Sequence, residues 1–184
     1  MSIPSTIEAS FLAATDAGMF ALWDPARFTH IIDYQTWEDS LLEDSGIAVH
    51  IDAGYLVPVN IASDGAFQFL VRASASQAPA LTGRERQYQM VASQPYLYRS
   101  TGTAHVTGIE HIGASPPPDA SAITLAEGSY AVTIHLIDWE AEPGAQDSQG
   151  EPTPDALPDF VVLIGPSASE DTVFRTKIET FDRP

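Results

Sequence analysis

Cysteine is absent from all 184 residues, and lysine occurs once, at Lys177. The first absence excludes a disulfide framework, a thiolate nucleophile and the cysteine-based zinc knuckles. The second bears on partners. Lys177 and the arginines make eight cations against 25 carboxylates, a formal net charge of -17. Binding to DNA, RNA or an anionic membrane depends on Lys and Arg at phosphates, so neither nucleic acid nor membrane is an expected partner. No apolar run reaches the ~20 residues that span a bilayer. The N-terminal "MSIPSTIEAS" has no basic start followed by an apolar stretch. No secretory signal is read there, and the expected location is cytoplasmic.

Common catalytic signatures are missing too. No G-x-S-x-G elbow occurs, and "GPSAS" at 165–169 lacks the final glycine. Lys177 sits in "RTKIE" without the glycines of a phosphate-binding loop. No dinucleotide fingerprint is found either. The chain therefore reads as non-catalytic, and no cofactor is expected.

The hydrophobic fraction of 44% suffices for a folded core. Most of its periodicity is two, the period of a half-buried strand. "YLVPVNI" aligns Tyr55, Val57, Val59 and Ile61, and "AFQFLVRAS" aligns Phe67, Phe69, Val71 and Ala73. The "SDG" between them suggests a hairpin turn. "RQYQMVAS", "PYLYRS" and "AHVTGIEHI" add short strands, the last with a bulge expected at Gly108. Strand 121–125 and strand 129–138 read as a second hairpin through "AEGS". "DFVVLIG" at 159–165 is continuously apolar, as in a central strand buried on both faces. "TVFRTKIETF" suggests a last edge strand.

Helical signals are few. Asp24 and Pro25 in "DPARF" fit a helix start. In "TWEDSLLEDSG", Thr36 fits an N-cap with Asp39 three residues on, and Gly46 a helix end. The expected fold is mainly β: a single-domain antiparallel β-sandwich over 1–184, with one or two short helices and a long acidic Pro-rich loop at 139–158.

That loop lies in the most asymmetric part of the chain. Between Arg99 and Arg175 there are twelve Asp and Glu and no Lys or Arg. Residues 138–160 carry seven carboxylates and four prolines. Asp138, Glu140 and Glu142 would share one face if the preceding strand continued, a spacing that hard cations such as Ca²⁺ can use. No closed D-x-D-x-D-G loop accompanies them, so a solvated face is the plainer reading and no metal site is assigned. His105 and His111, read on one strand, would stand about 20 Å apart at ~3.4 Å per residue, too far to share an ion. Trp23 and Trp37 read as core. Trp139, beside the acidic loop, fits either core or an apolar anchor for a partner.

The order of elements is similar to one known pattern: "WEDSLLEDSGIA", then "FQFLVR", "YQMVASQPY", "VTGIEHI", "ITLAEGSYAVTIHLIDW" and "DFVVLIG". It resembles the competence protein J family of small acidic bacterial β-rich proteins. It is also similar to uncharacterised bacterial proteins that share the L-x-x-G-x-Y-x-V hairpin. The resemblance spans about two-thirds of the chain. It implies a β-rich fold and inhibition of a DNA-entry nuclease, and it carries no functional residues to particular positions. The long acidic loop and the tail after Gly165 depart from it.

Two functions follow as expectations. The first is a binding protein of inhibitor or immunity type for a basic partner such as a nuclease. Asp138, Glu140, Glu142, Asp147, Glu151, Asp155 and Asp159 would supply charge and Trp139 the anchor. The second is a β-sandwich with a small-ligand or Ca²⁺ pocket, with enzymatic activity of an unfamiliar type left open.

Overall fold

The computed structural model describes residues 6–118, 120–167 and 171–182. Strands β1 (Ile7–Thr15), β4 (Gly65–Ala73), β10 (Phe160–Pro166) and β9 (Gly128–Ile137) lie side by side in the larger sheet. The far edge of β9 is shared by β5 (Gln89–Ala92) and β6 (Tyr96–Ser100). The smaller sheet runs β3 (Leu56–Asn60), β2 (Met19–Trp23), β7 (Thr103–Gly108), β8 (Ser121–Thr124). One core lies between the sheets. Phe20 of the smaller sheet meets Phe69 of the larger edge-on, with centroids 5.0 Å apart. Phe69 stacks on Phe11 and Phe160, its register neighbours.

The β-rich two-sheet fold matches the sequence reading, but the connections do not. β3 pairs with β2 in one sheet and β4 with β1 and β10 in the other, so the expected hairpin is a crossover between sheets. The same holds for β8 and β9. The sheet is not wholly antiparallel, because β4 and β10 run parallel. The tail forms no edge strand among the described residues. It is held by a bridge from Asn60 to Thr180, by Phe181 against Phe160, and by the Tyr96 hydroxyl donating to the Lys177 carbonyl. β7 ends at Gly108 and a 3₁₀ turn follows at Ile109–His111, so His105 and His111 do not share a strand.

Three α-helices are present among the described residues: α1 (Tyr34–Leu41), α2 (Asp44–Ala53) and α3 (Gly83–Gln87). Asp33, not Thr36, caps α1. Its carboxylate accepts from the Thr36 amide, and the Thr36 hydroxyl accepts from the Asp33 amide. Gly46 lies inside the first turn of α2. A Cβ there would stand 2.5 Å from the Ser40 carbonyl oxygen, so only glycine lets α2 start against the end of α1. The stop falls at Gly54, whose φ of 76° closes the helix. Asp24 and Pro25 start a 3₁₀ turn as expected, with Asp24 accepting from Ala26.

β10 is buried along both faces, as its unbroken apolar run requires. Phe160, Val162 and Ile164 face the inter-sheet core, while Val161 and Leu163 join Leu70 in a second cluster on the outer face. Ile137, Trp139, Ala145 and Leu157 complete that cluster. Arg72 projects from the same outer face two residues from Leu70. Its guanidinium makes a paired contact with Glu85 of α3 at 3.0 and 3.1 Å, bonds Glu8 of β1 at 2.8 Å, and donates to the Ala80 carbonyl. The Arg72 and Glu85 side chains are only 11% and 4% exposed.

Burial pushes the Glu85 carboxyl up, but its bonds from Arg72 and Thr82 outweigh burial and leave it below its ordinary value. A group depressed in the folded state stabilises above its unfolded pKa and loses that stabilisation as pH falls through the folded one. This contribution should therefore decline only below about pH 4.3, the ordinary Glu value. Removing one partner strands a buried charge, so Arg72→Ala and Glu85→Ala should each cost about 3–5 kcal/mol in urea unfolding at pH 7. The double variant should cost clearly less than the sum. Additive losses would mean that the pair is not coupled.

Candidate functional site

Residues 138–159 are a built layer over the outer face of the larger sheet. Trp139 is 7% exposed and packs in the outer cluster. Its indole N–H donates to Asp159 at 2.9 Å. The anchor reading of Trp139 is thus corrected: it is core. Trp139–Ala141 wind into a 3₁₀ turn, so Asp138, Glu140 and Glu142 do not continue a strand face. β9 ends at Ile137, so the alternation of a strand does not reach these residues.

The carboxylates of this layer divide by role. Glu142 is held by a two-pronged contact from Arg84 at 2.5 and 2.6 Å, and Arg84 also donates to the Asp155 carbonyl. The bond to Arg84 holds the Glu142 carboxyl below its ordinary value. Asp159 accepts from the Gln68 amide as well as from Trp139. Asp147 accepts from the Gln149 and Glu151 amides and closes a turn. Glu140, Asp147, Glu151 and Asp155 are exposed, and Asp138 is half-buried. Glu142 and Asp159 therefore work inside the fold, while the exposed members face solvent.

A different place combines shape with exposed apolar surface. The segment entering α1 and the segment after the 109–111 turn form the walls of an open groove of about 780 Å³. Ile32, Tyr34, Trp37, Leu42, Ile112 and Pro117 line much of it. A smaller hollow beside it includes Leu12 and shares His111 and Pro117. Ile32 is 75% exposed, Tyr34 70%, Leu12 67% and Leu42 53%. These are four of six exposed large apolar side chains among the described residues. Trp37 packs against the inter-sheet core, as read, and also forms part of the groove wall. It is half-buried, stacks on Tyr34, and donates its indole N–H to the Ile109 carbonyl.

The groove has an acidic rim. Asp33 and Glu110 line it, and among the described residues His111 is its only basic-type lining residue. Glu110 is fixed by bonds from the Thr15 hydroxyl and the Asp16 amide. Gly108 makes room for this, since a Cβ there would stand 2.5 Å from the Glu110 carboxylate. The Tyr34 hydroxyl bonds Glu38, which pushes that phenol above its ordinary pKa. One wall comes from residues 28–71, which hold seven carboxylates and no Lys or Arg. The other comes from the cation-free segment between Arg99 and Arg175. The readable signal was "IID" at the helix cap, whereas the helical pattern points Trp37, Leu41 and Leu42 all toward the core. Leu41 is buried and Leu42 is not.

Among the described residues, no three His, Asp or Glu side chains converge as a metal cage. No helix there is long and apolar enough to cross a membrane. Trp139→Ala should lower stability by about 3–5 kcal/mol in denaturant unfolding, the usual cost of deleting a buried aromatic. A loss under about 1 kcal/mol would return Trp139 to the surface.

No family model and no curated protein matches the chain. Two solved structures are similar to it. The structure titled "Crocagin biosynthetic gene J" aligns over 88% of this chain and 98% of its own, with a TM-score of 0.61 and 15% identity. ComJ, inhibitor of the DNA degrading activity of NucA from Bacillus subtilis, aligns over 86% and 95%, with a TM-score of 0.48 and 10% identity. The first likeness shows the two-sheet fold. The pattern noted in the sequence stands as a remote structural resemblance to these proteins.

Proposed function

We propose that this chain is a non-catalytic acidic binding protein that engages a basic protein partner through the groove at α1. The observation that carries this reading is the concentration of exposed Leu12, Ile32, Tyr34 and Leu42 on one groove and its neighbouring hollow, between walls drawn from cation-free segments. Contiguous apolar surface with a polar rim is the usual form of a protein-binding site. The net charge of -17 attracts a cationic partner and repels an anionic one. Asp138, Glu140, Asp147, Glu151 and Asp155 add to that field, while Trp139, Glu142 and Asp159 keep their layer folded. A nuclease whose basic cleft is blocked is the finer reading, and the family resemblance supports it.

A second reading rests on size. A volume of about 780 Å³ lies within the range of small-molecule sites. Capture from lysate separates the two, using the wild type, an Ile32→Asp/Leu42→Asp variant and a Glu151→Gln/Asp155→Asn variant. The partner reading expects a basic protein retained at low salt and released at about 0.5 M, where screening is strong. Retention should be lost in the groove variant and reduced at most severalfold in the loop variant. Capture indifferent to salt and to the groove substitutions would overturn the proposal. If the captured protein is a nuclease, equimolar addition of the chain should suppress its activity.

A further inference from the structure

Three side chains that do not line the groove, His30, Ser40 and His50, meet one another. His50 projects from α2, and its Nε2 lies 2.8 Å from the Ser40 hydroxyl of α1. His30, in the segment leading toward α1, places its Nε2 3.3 Å from the same oxygen. The two rings lie nearly parallel, 20° apart in plane, with centroids at 6.1 Å. Buried Phe28 backs both, 4.9 Å from the His50 ring and 6.1 Å from the His30 ring. Two imidazole nitrogens from different elements thus aim at one point, with a hydroxyl between them and solvent beyond the exposed His30.

Hydrogen bonding alone does not require two histidines there. One hydroxyl has one proton, so Ser40 donates to one ring and accepts from the other only if their tautomers are complementary. Late first-row metal ions prefer neutral imidazole nitrogen, and tetragonal N,O sites suit Cu²⁺. A shared ion would stand ~2.1 Å from each nitrogen, and both Nε2 atoms already lie within hydrogen-bond distance of the one Ser40 oxygen.

We propose that His30 and His50, with the Ser40 hydroxyl between them, chelate a late first-row divalent cation, Cu²⁺ above Zn²⁺, leaving the remaining positions to water. Such an ion ties the 28–33 segment, which continues into the groove wall at Ile32 and Asp33, to α2. The site lies beside the groove but does not depend on the groove having a partner.

The test uses the full chain without an affinity tag and Cu²⁺ as the probe, because it binds most tightly in the divalent series. Calorimetric titration should show one equivalent bound, and the melting temperature should rise on addition. His30→Ala and His50→Ala should each weaken binding at least tenfold and abolish the rise. His111→Ala should leave both unchanged. The electron paramagnetic resonance spectrum should carry coupling to two imidazole nitrogens, and to one in His30→Ala. His30 is exposed, so that variant folds even if His50→Ala, which loses its contact with Phe28, does not. No binding of Cu²⁺, unchanged affinity in His30→Ala, or loss in His111→Ala instead would overturn the proposal.

Discussion

The buried Arg72 guanidinium is the constraint on which the outer half of the molecule depends. β10 is apolar on both faces, so the larger sheet needs cover on its outside as well as over the inter-sheet core. Arg72 stands on that outer face and cannot be covered by hydrocarbon alone, because an uncompensated charge there would be prohibitive. Glu85 answers it from α3, Glu8 from β1, and the Ala80 carbonyl from the connecting segment. Placing α3 in turn places Arg84 of the same helix against Glu142 and the Asp155 carbonyl. The polar contacts thus set where the two long connections lie, and Trp139, Leu157 and Leu81 fill the space beneath them.

Cations are scarce in this chain, and most are used internally. Arg72 and Arg84 bind carboxylates, Arg86 donates to the Leu81 carbonyl, Arg27 lies over the Tyr55 ring, and Arg175 bonds Glu179 and the Lys177 carbonyl. What projects outward is therefore dominated by carboxylates beyond what the net charge alone conveys. On the proposed reading, the groove would gain specificity from the combination. Apolar side chains at its walls would favour any greasy surface, and Asp33 and Glu110 would favour one that also brings positive charge.

Sequence periodicity revealed the inward faces well, since it follows from the geometry of the pleat. Val57, Val59, Phe69, Val71, Val132 and Ile134 are all buried. It was silent on partners, because a short turn such as 61–64 can fold a strand back or pass it to the opposite sheet with the same local residues. α2 was unread because Gly46 resembles a terminator. Its actual role, admitting the Ser40 carbonyl, is a contact between helices that no local pattern shows. The acidic stretch looked slack for the same reason: Arg84, which holds it, is 58 residues distant from Glu142. The groove's outward-facing leucine and isoleucine were visible as residues, but their gathering at one place needs the two walls to be brought together.

The parallel pairing of β4 and β10 has a consequence in the order of synthesis. β10 fills the slot between β4 and β9, both of which leave the ribosome before it. Until residues 160–166 emerge, the larger sheet exists as two fragments, each with an unpaired hydrogen-bonding edge. Closing the slot brings together residues roughly ninety positions apart, Phe69 with Phe160, a separation that slows folding. The nascent chain carries the open edge of β4 from residue 73 onward, and that of β9 as well from residue 137, until β10 emerges, the interval in which misassembly with another chain is most dangerous.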